Sequence, residues 1–151
     1  MTTTRIEQQL TILLRRTQHI HVTTASGEVE LDRSAYGIMC RLQDEGAQRL
    51  SSLAHAFGLD PSTITRQVQA LEVDRLVHRE PDPTDRRAYL LDLTDEGRTV
   101  LAATRERRRA RLTAALDDWD EEDIEAFGRL LERFNSSIDR LVQRLGADRP
   151  G

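Results

Sequence analysis

The sequence has no lysine: all 22 of its basic residues are arginine, so every permanent side-chain cation is a planar fork able to grip phosphate or carboxylate through two N–H groups. Cysteine occurs once, at Cys40, which excludes an internal disulfide. Aromatic residues make up only 4% of the chain, so a core must be built from aliphatic side chains. No apolar run approaches the roughly 18 residues of a membrane span, and no signal-peptide pattern opens the chain, so a cytoplasmic location is expected, with no membrane partner. Catalytic signatures are missing too: there is no Gly-rich phosphate loop, no G-x-S-x-G, no C-x-x-C and no pair of His four apart on a helix. His19, His21, His55 and His78 are scattered, so neither an enzyme nor a metal or cofactor protein is expected. Finally, 26 acids against 22 arginines leave a net charge of −4, and no global positive field announces a polyanionic partner. Any such contact has to come from local geometry.

What is present is organised around residues 50–94. Ser51 is placed to cap a short helix with apolar positions Leu53, Ala54 and Phe57, and Gly58 stands where a helix stop needs positive φ. Asp60-Pro61 opens a second helix, with Asp as cap and Pro at the first helical position. In it Ile64, Val68 and Leu71 make a buried stripe at i, i+4, i+7. The opposite surface carries Ser62, Thr63, Thr65, Arg66, Gln67 and Gln69, with no acid between Ser62 and Ala70. Short hydroxyls, amides and one Arg suit base edges and phosphates. The plainer alternative is a solvated, well-capped helix face.

Two strands follow, residues 76–80 and 88–93, joined by Pro81-Asp82-Pro83-Thr84-Asp85-Arg86-Arg87. The prolines forbid helix there. Arg86 and Arg87 side by side at a hairpin tip would repel, so a partner is expected nearby, and Asp85 is the candidate brace. Two guanidiniums on a projecting hairpin fit a narrow, negative minor groove; the alternative is a charged tip that blunts a strand edge. Helix, turn, helix and hairpin in this order make a winged helix-turn-helix, which sets one helix in a major groove. Against it stands the local charge, six Arg and seven acids over residues 49–93. The acids would have to point away.

Leu53-Ala54, Asp60-Pro61-Ser62-Thr63, Thr65-Arg66, Leu76-Val77 and the wing pattern Asp85-x-Arg87-x5-Leu93-Thr94 together resemble the MarR family of bacterial winged-helix regulators. The resemblance spans residues 6–145 or so. One departure is Arg75, where such proteins often carry Gly before the Leu-Val pair, and a non-Gly residue there would be mildly strained. The resemblance implies a homodimer, DNA as partner, and control by a small molecule held between the dimer helices and the DNA lobe. Arg16, His19, Tyr36, Met39 and Cys40 are the pocket residues suggested by position.

The rest of the chain fits that plan. Residues 4–22 read as a helix with a narrow seam of Ile6, Leu10, Leu13, Thr17 and Ile20, broken at Ser26-Gly27. Residues 32–45 read as a second helix, capped by Asp32, with Ala35, Ile38, Met39 and Leu42 inward and Gly46 ending it. Cys40 on this helix reads as an inert thiol. Thr94 caps a long helix to about residue 116, where Arg105, Arg107, Arg108, Arg109 and Arg111 form a run that reads as a solvated face paired with acids of a neighbouring helix, the alternative being a phosphate-tracking surface. Asp117–Glu125 holds seven acids in nine residues, with Asp120 capping the next helix. From there Ile124, Phe127, Leu131, Phe134, Ile138, Leu141 and Leu145 repeat 3, 4, 3, 4, 3, 4, too regular a seam for one monomer to bury.

The fold expected is therefore mainly α with a small β-hairpin wing. Residues 1–151 would form one domain: a helical dimerisation lobe (4–22 and 94–146) paired through Ile6, Leu10, Leu13, Phe134, Ile138, Leu141 and Leu145, and a DNA-binding lobe (32–93). The function expected is a sequence-specific regulator on a pseudo-palindromic duplex, a repressor relieved by a ligand. Ser62, Thr63, Thr65, Arg66 and Gln69 would meet the major groove, and Arg86 and Arg87 the minor groove, braced by Asp85. The alternative is a winged helix used as a protein-interaction module without DNA binding.

Overall fold

The computed structural model describes residues 2–17, 22–23, 30–31 and 33–147. In chain order the elements are α1 (Thr2–Thr17), β1 (Val22–Thr23), β2 (Glu30–Leu31), α2 (Arg33–Glu45), β3 (Gln48–Arg49), α3 (Leu50–Phe57), α4 (Pro61–Val73), β4 (Val77–Asp82), β5 (Asp85–Leu93), α5 (Asp95–Ala115) and α6 (Glu121–Ala147). They fall into two compact units, divided between Arg107 and Arg108. The fold is mainly helical, with a small three-stranded antiparallel sheet in the order β3-β5-β4 and a separate β1-β2 pair.

The core of the first unit is aliphatic, as the shortage of aromatics requires. Ile38, Met39 and Leu42 of α2, Leu53 and Ala54 of α3, Ile64, Val68 and Leu71 of α4, Leu76 and Val77 at the start of the wing, Leu91 and Leu93 of β5, and Leu101 of α5 are all buried in one cluster. The helical periodicities that marked α2 and α4 thus point inward together. Gly58 ends α3 at φ 61, ψ 31, and the Leu59 N–H donates to the Ala54 carbonyl at 3.0 Å. A left-handed residue closing a helix in this way is the ordinary use of glycine.

Several boundaries differ from expectation, each for a stated reason. The cap of α3 is Arg49, which offers no side-chain cap bond, so Ser51 is not the cap. Gln48 and Arg49 are drawn into β3, opposite Leu91 and Leu90, and the backbone passes from sheet straight into helix. Val22 is not helical: its backbone pairs with that of Leu31 across β1 and β2. The Ser26-Gly27 break and the Asp32 cap lie outside the described residues. The wing loop is shorter than its prolines suggested. β4 and β5 run on until only Pro83 and Thr84 turn, Pro81 pairs with Tyr89, and the register shifts between Pro81 and Asp82, where the missing proline N–H interrupts the ladder.

The exit of α4, the wing and α5 meet at one joint. Leu76 N–H donates back to the Leu71 carbonyl at 2.9 Å, and its own carbonyl accepts from the Thr94 N–H at 3.1 Å. The Thr94 hydroxyl donates to the Arg75 carbonyl at 2.6 Å and accepts from the Gly97 N–H at 2.9 Å, which caps α5 as expected. Gly97 permits this closeness: a Cβ there would stand 2.0 Å from the Leu76 carbonyl oxygen. Arg75 does take the left-handed conformation, at φ 58.

Two substitutions follow from this joint. Gly97→Ala forces backbone apart and is expected to destabilise by roughly 1–3 kcal/mol, the range for overpacking. Arg75→Gly removes a left-handed strain and is expected to stabilise by up to about 1 kcal/mol. Urea midpoints at constant m-value measure both; a neutral Gly97→Ala would contradict the close contact.

Candidate nucleic-acid interface

Helix α4 is held by its first turn. Asp60 accepts from the Thr63 N–H at 2.9 Å and from the Ser62 and Thr63 hydroxyls. These bonds, led by that from the Ser62 hydroxyl, bring the Asp60 pKa down to about 2. The Thr65 hydroxyl donates to the Pro61 carbonyl at 2.6 Å. So the protons of Ser62, Thr63 and Thr65, three of the groups expected to face DNA, are directed into the protein. Their oxygens keep lone pairs and can accept from base amino groups, but they are not free donors. Arg66 and Gln69 are exposed, and among the described residues neither side chain has a hydrogen-bond partner.

The wing tip is built differently from the expected bracing. Asp85 accepts from the Arg87 backbone N–H at 3.0 Å and pairs with neither the Arg86 nor the Arg87 guanidinium among the described residues. The carboxylate that organises the tip is Asp82, which is buried. It accepts from the Thr84 hydroxyl at 2.7 Å and the Thr84 N–H at 2.8 Å, an Asx turn that closes the hairpin. It also receives Arg49, from Nε at 2.7 Å and from Nη2 at 2.6 Å. These contacts, the Thr84 hydroxyl first, lower the Asp82 pKa to about 2. At the base of the wing, Arg79 of β4 grips Glu72 of α4, with Nε–Oε1 at 2.7 Å and Nη2–Oε2 at 3.2 Å. Neither Arg49 nor Arg79 stood out in the sequence, because their partners are 33 and 7 positions away and no local pattern marks them.

The charge count that opposed nucleic-acid binding resolves once partners are assigned. Of the seven acids between residues 49 and 93, Asp60 is a cap, Glu72 holds Arg79, Asp82 holds Arg49, Asp85 accepts from backbone and Asp92 holds Arg98 at 3.2 Å. The guanidiniums of Arg66, Arg75, Arg86 and Arg87 are exposed with no acid on them among the described residues. Five of the seven acids thus have a structural task, whereas Asp74, the C-terminal cap of α4, and Glu80, 3.8 Å from His78, hold no arginine among the described residues; four open arginines remain.

The suggested pocket residues are dispersed in role. Met39 is wholly buried in the core and presents no surface to a ligand; Tyr36 and Cys40 are half-buried against the same core. Arg16 is exposed on α1, and His19 lies outside the described residues. Among the described residues no group of three or more His, Cys, Asp or Glu is placed to hold a metal ion, and no helix is long and apolar enough to cross a membrane. Within the Arg run, Arg105 reaches Asp44 of α2 at 2.9 Å.

Two helices at a tight Gly turn, the second with an acid-free outer face, and a hairpin carrying open arginines define a winged helix-turn-helix of the DNA-binding class. The chain belongs to the MarR family of transcriptional regulators, a non-enzymatic family, and its family model matches residues 31–89. It is 36% identical over 133 residues to the HTH-type transcriptional regulator YxaD of Bacillus subtilis, covering 88% of this chain and 92% of that one. To the HTH-type transcriptional repressor NicR of Pseudomonas putida it is 30% identical over 101 residues, 65% of this chain and 64% of the relative. The crystal structure of RV1404 from Mycobacterium tuberculosis aligns with a TM-score of 0.75 at 25% identity, covering 91% of this chain and 94% of that one.

The two lowered carboxylates set the acid limb of stability. A carboxylate whose folded pKa lies below its unfolded value stabilises fully above the unfolded value, near 4, and that contribution is lost as pH falls toward the folded value, about 2. The urea midpoint is therefore expected to fall between pH 4 and 2, and Asp60→Asn and Asp82→Asn should each flatten that fall. A decline of unchanged steepness in both variants would contradict the assignment.

Proposed function

We propose that this DNA-binding regulator is a homodimeric repressor that reads a pseudo-palindromic duplex and is released by a small-molecule effector. The observation that carries the DNA contact is the sorting of arginines: Arg49 and Arg79 are engaged by acids, whereas Arg66, Arg86 and Arg87 are left open on the two elements that a winged helix presents. Arg66 and Gln69, with the hydroxyl oxygens of Ser62, Thr63 and Thr65, meet base edges in the major groove. Arg86 and Arg87 meet the adjacent minor groove or its phosphates. Asp85 and Asp82 hold the tip in shape.

The dimer reading rests on α6. Ile124, Phe127, Leu131, Phe134, Ile138, Leu141 and Leu145 form one stripe, and each is 37–61% exposed in the single chain. A stripe of that length needs a partner surface. The paired lobe is residues 4–22 with 94–146, its dimer interface drawn from Ile6, Leu10 and Leu13 as well as Phe134, Ile138, Leu141 and Leu145, and residues 32–93 form the reading lobe. Two-fold symmetry then sets half-sites about one helical turn apart, ~10 bp. Repression agrees with the name of NicR, one of the relatives. The effector crevice is the region of Arg16, His19, Tyr36 and Cys40, without Met39, which belongs to the core, and the protein works in the cytoplasm.

The test is a gel-shift series on a duplex that the wild-type protein selects from a random library. Arg66→Ala is expected to weaken that duplex by roughly 1–3 kcal/mol while hardly changing affinity for random DNA, as a bidentate base contact requires. Equal loss on both duplexes would make Arg66 a phosphate clamp. In sedimentation at micromolar concentration the wild type is expected to run as a dimer, and Leu141→Glu to run as a monomer with lost operator binding. A monomeric wild type that still binds one full site tightly contradicts the two-fold reading.

A further inference from the structure

Arg49 is the residue for which the reading interface, as assigned above, has no use, and its placement is specific. The sheet order is β3-β5-β4, with Arg49 on one edge opposite Leu90 of the middle strand, and Leu90 opposite Glu80 of the far edge. Asp82 lies two residues beyond Glu80 on that far edge, across two strand spacings of about 4.8 Å each. To place Nε at 2.7 Å and Nη2 at 2.6 Å from one Asp82 oxygen, the Arg49 side chain crosses the middle strand at the tip end of the hairpin. Its Nη2 also lies 3.5 Å from the Thr84 hydroxyl and 4.0 Å from the Asp85 carboxylate, so one guanidinium faces three of the four residues of the turn. Asp82 is 5% exposed, a carboxylate enclosed by partners at the end of an otherwise solvated hairpin. Arg49 is also the residue from which α3 starts. The contact therefore joins the helix-turn-helix at its first residue to the wing at its last turn. Glu72–Arg79 joins them at the base.

We propose that Arg49 is a positioning residue for the wing: through Asp82 it fixes where the hairpin tip, and with it Arg86 and Arg87, stands relative to α4, and it does not itself contact DNA. A two-stranded hairpin alone is marginally stable in water, so a tip tied only at its base would sample many positions. Each wing arginine would then lose orientation on binding, and the loss would show as weaker phosphate contact rather than altered base choice. The proposal rests on the reading that Arg86 and Arg87 touch DNA, and the test separates the two.

The full-length dimer is titrated against the duplex selected by the wild type, with Arg49→Met, Asp82→Asn, the double variant, and Arg86→Ala/Arg87→Ala, each at several salt concentrations. Arg86→Ala/Arg87→Ala is expected to lower affinity and to flatten the salt slope by about 0.9 per lost phosphate contact. Arg49→Met and Asp82→Asn are each expected to lower affinity and flatten the slope in the same sense. The double variant should lose no more than either single one, within about twofold, because one link is broken in all three. Discrimination between the selected duplex and one altered under α4 should be unchanged, and the flattened salt slope is a readout that a mere loss of folded fraction would not move. If Arg49→Met weakens binding while Asp82→Asn binds as well as or better than wild type, Arg49 is itself a phosphate contact and the proposal is overturned. It is equally overturned if both variants bind like wild type. If Arg86→Ala/Arg87→Ala binds normally, the wing contact fails first, and the positioning role falls with it.

Discussion

The reading half of this protein depends on a single carbonyl. Leu76 closes the exit of α4 through its N–H, and its oxygen, at the start of the wing, receives the Thr94 N–H from the far end of the same wing, while Gly97 of the long helix lies directly against it. Three elements, α4, the wing and α5, are thereby referred to one atom. No side chain could occupy position 97 without separating them, and the Thr94 hydroxyl bridges the Arg75 carbonyl and the Gly97 N–H across the same gap. A polar joint of this kind is directional where an aliphatic core is not, and so it sets orientation rather than bulk stability.

From that joint the wing projects as a hairpin, and hairpins are soft. Arginine–carboxylate links stiffen it at both ends: Arg79 with Glu72 at the base, Arg49 with Asp82 at the tip. Both are exposed on the arginine side, where an isolated pair contributes little to stability. Their consequence is geometric. By engaging acids that would otherwise face a polyanion, they also convert a stretch of near-neutral count into a surface with open cations. An acidic protein can thus meet DNA without a basic field, through sorting of charge at the scale of single residues.

What was legible in the sequence is what neighbours in the chain decide. The cap and first turn of α4, the Gly58 stop, the Ile64–Val68–Leu71 stripe and the Thr94 cap all depend on residues within about a turn of each other, and each stands where its pattern placed it. Misplaced features were decided by distant partners. Ser51 has the chemistry of a cap, but pairing of Gln48 and Arg49 with β5 begins the helix two residues earlier. Asp85 is beside Arg86 in sequence, yet the tip is organised by Asp82 and an arginine 33 residues upstream. Two prolines and two acids suggested an open loop, whereas β-pairing closes it to two residues. Two-residue strands such as β1 and β3 carry too few side chains to leave a periodic trace.

The central claim, that a symmetric pair of chains reads DNA with α4 in the major groove and the wing arginines in the flanking minor groove, is tested most directly by footprinting. Hydroxyl-radical cleavage of the selected duplex bound to the full-length protein maps every sugar that the protein shields. The account predicts a dyad pattern, with two equivalent major-groove contact zones about one turn apart and a shielded minor-groove segment beside each. A footprint without two-fold symmetry, or one that leaves the minor grooves fully cleaved, would contradict it.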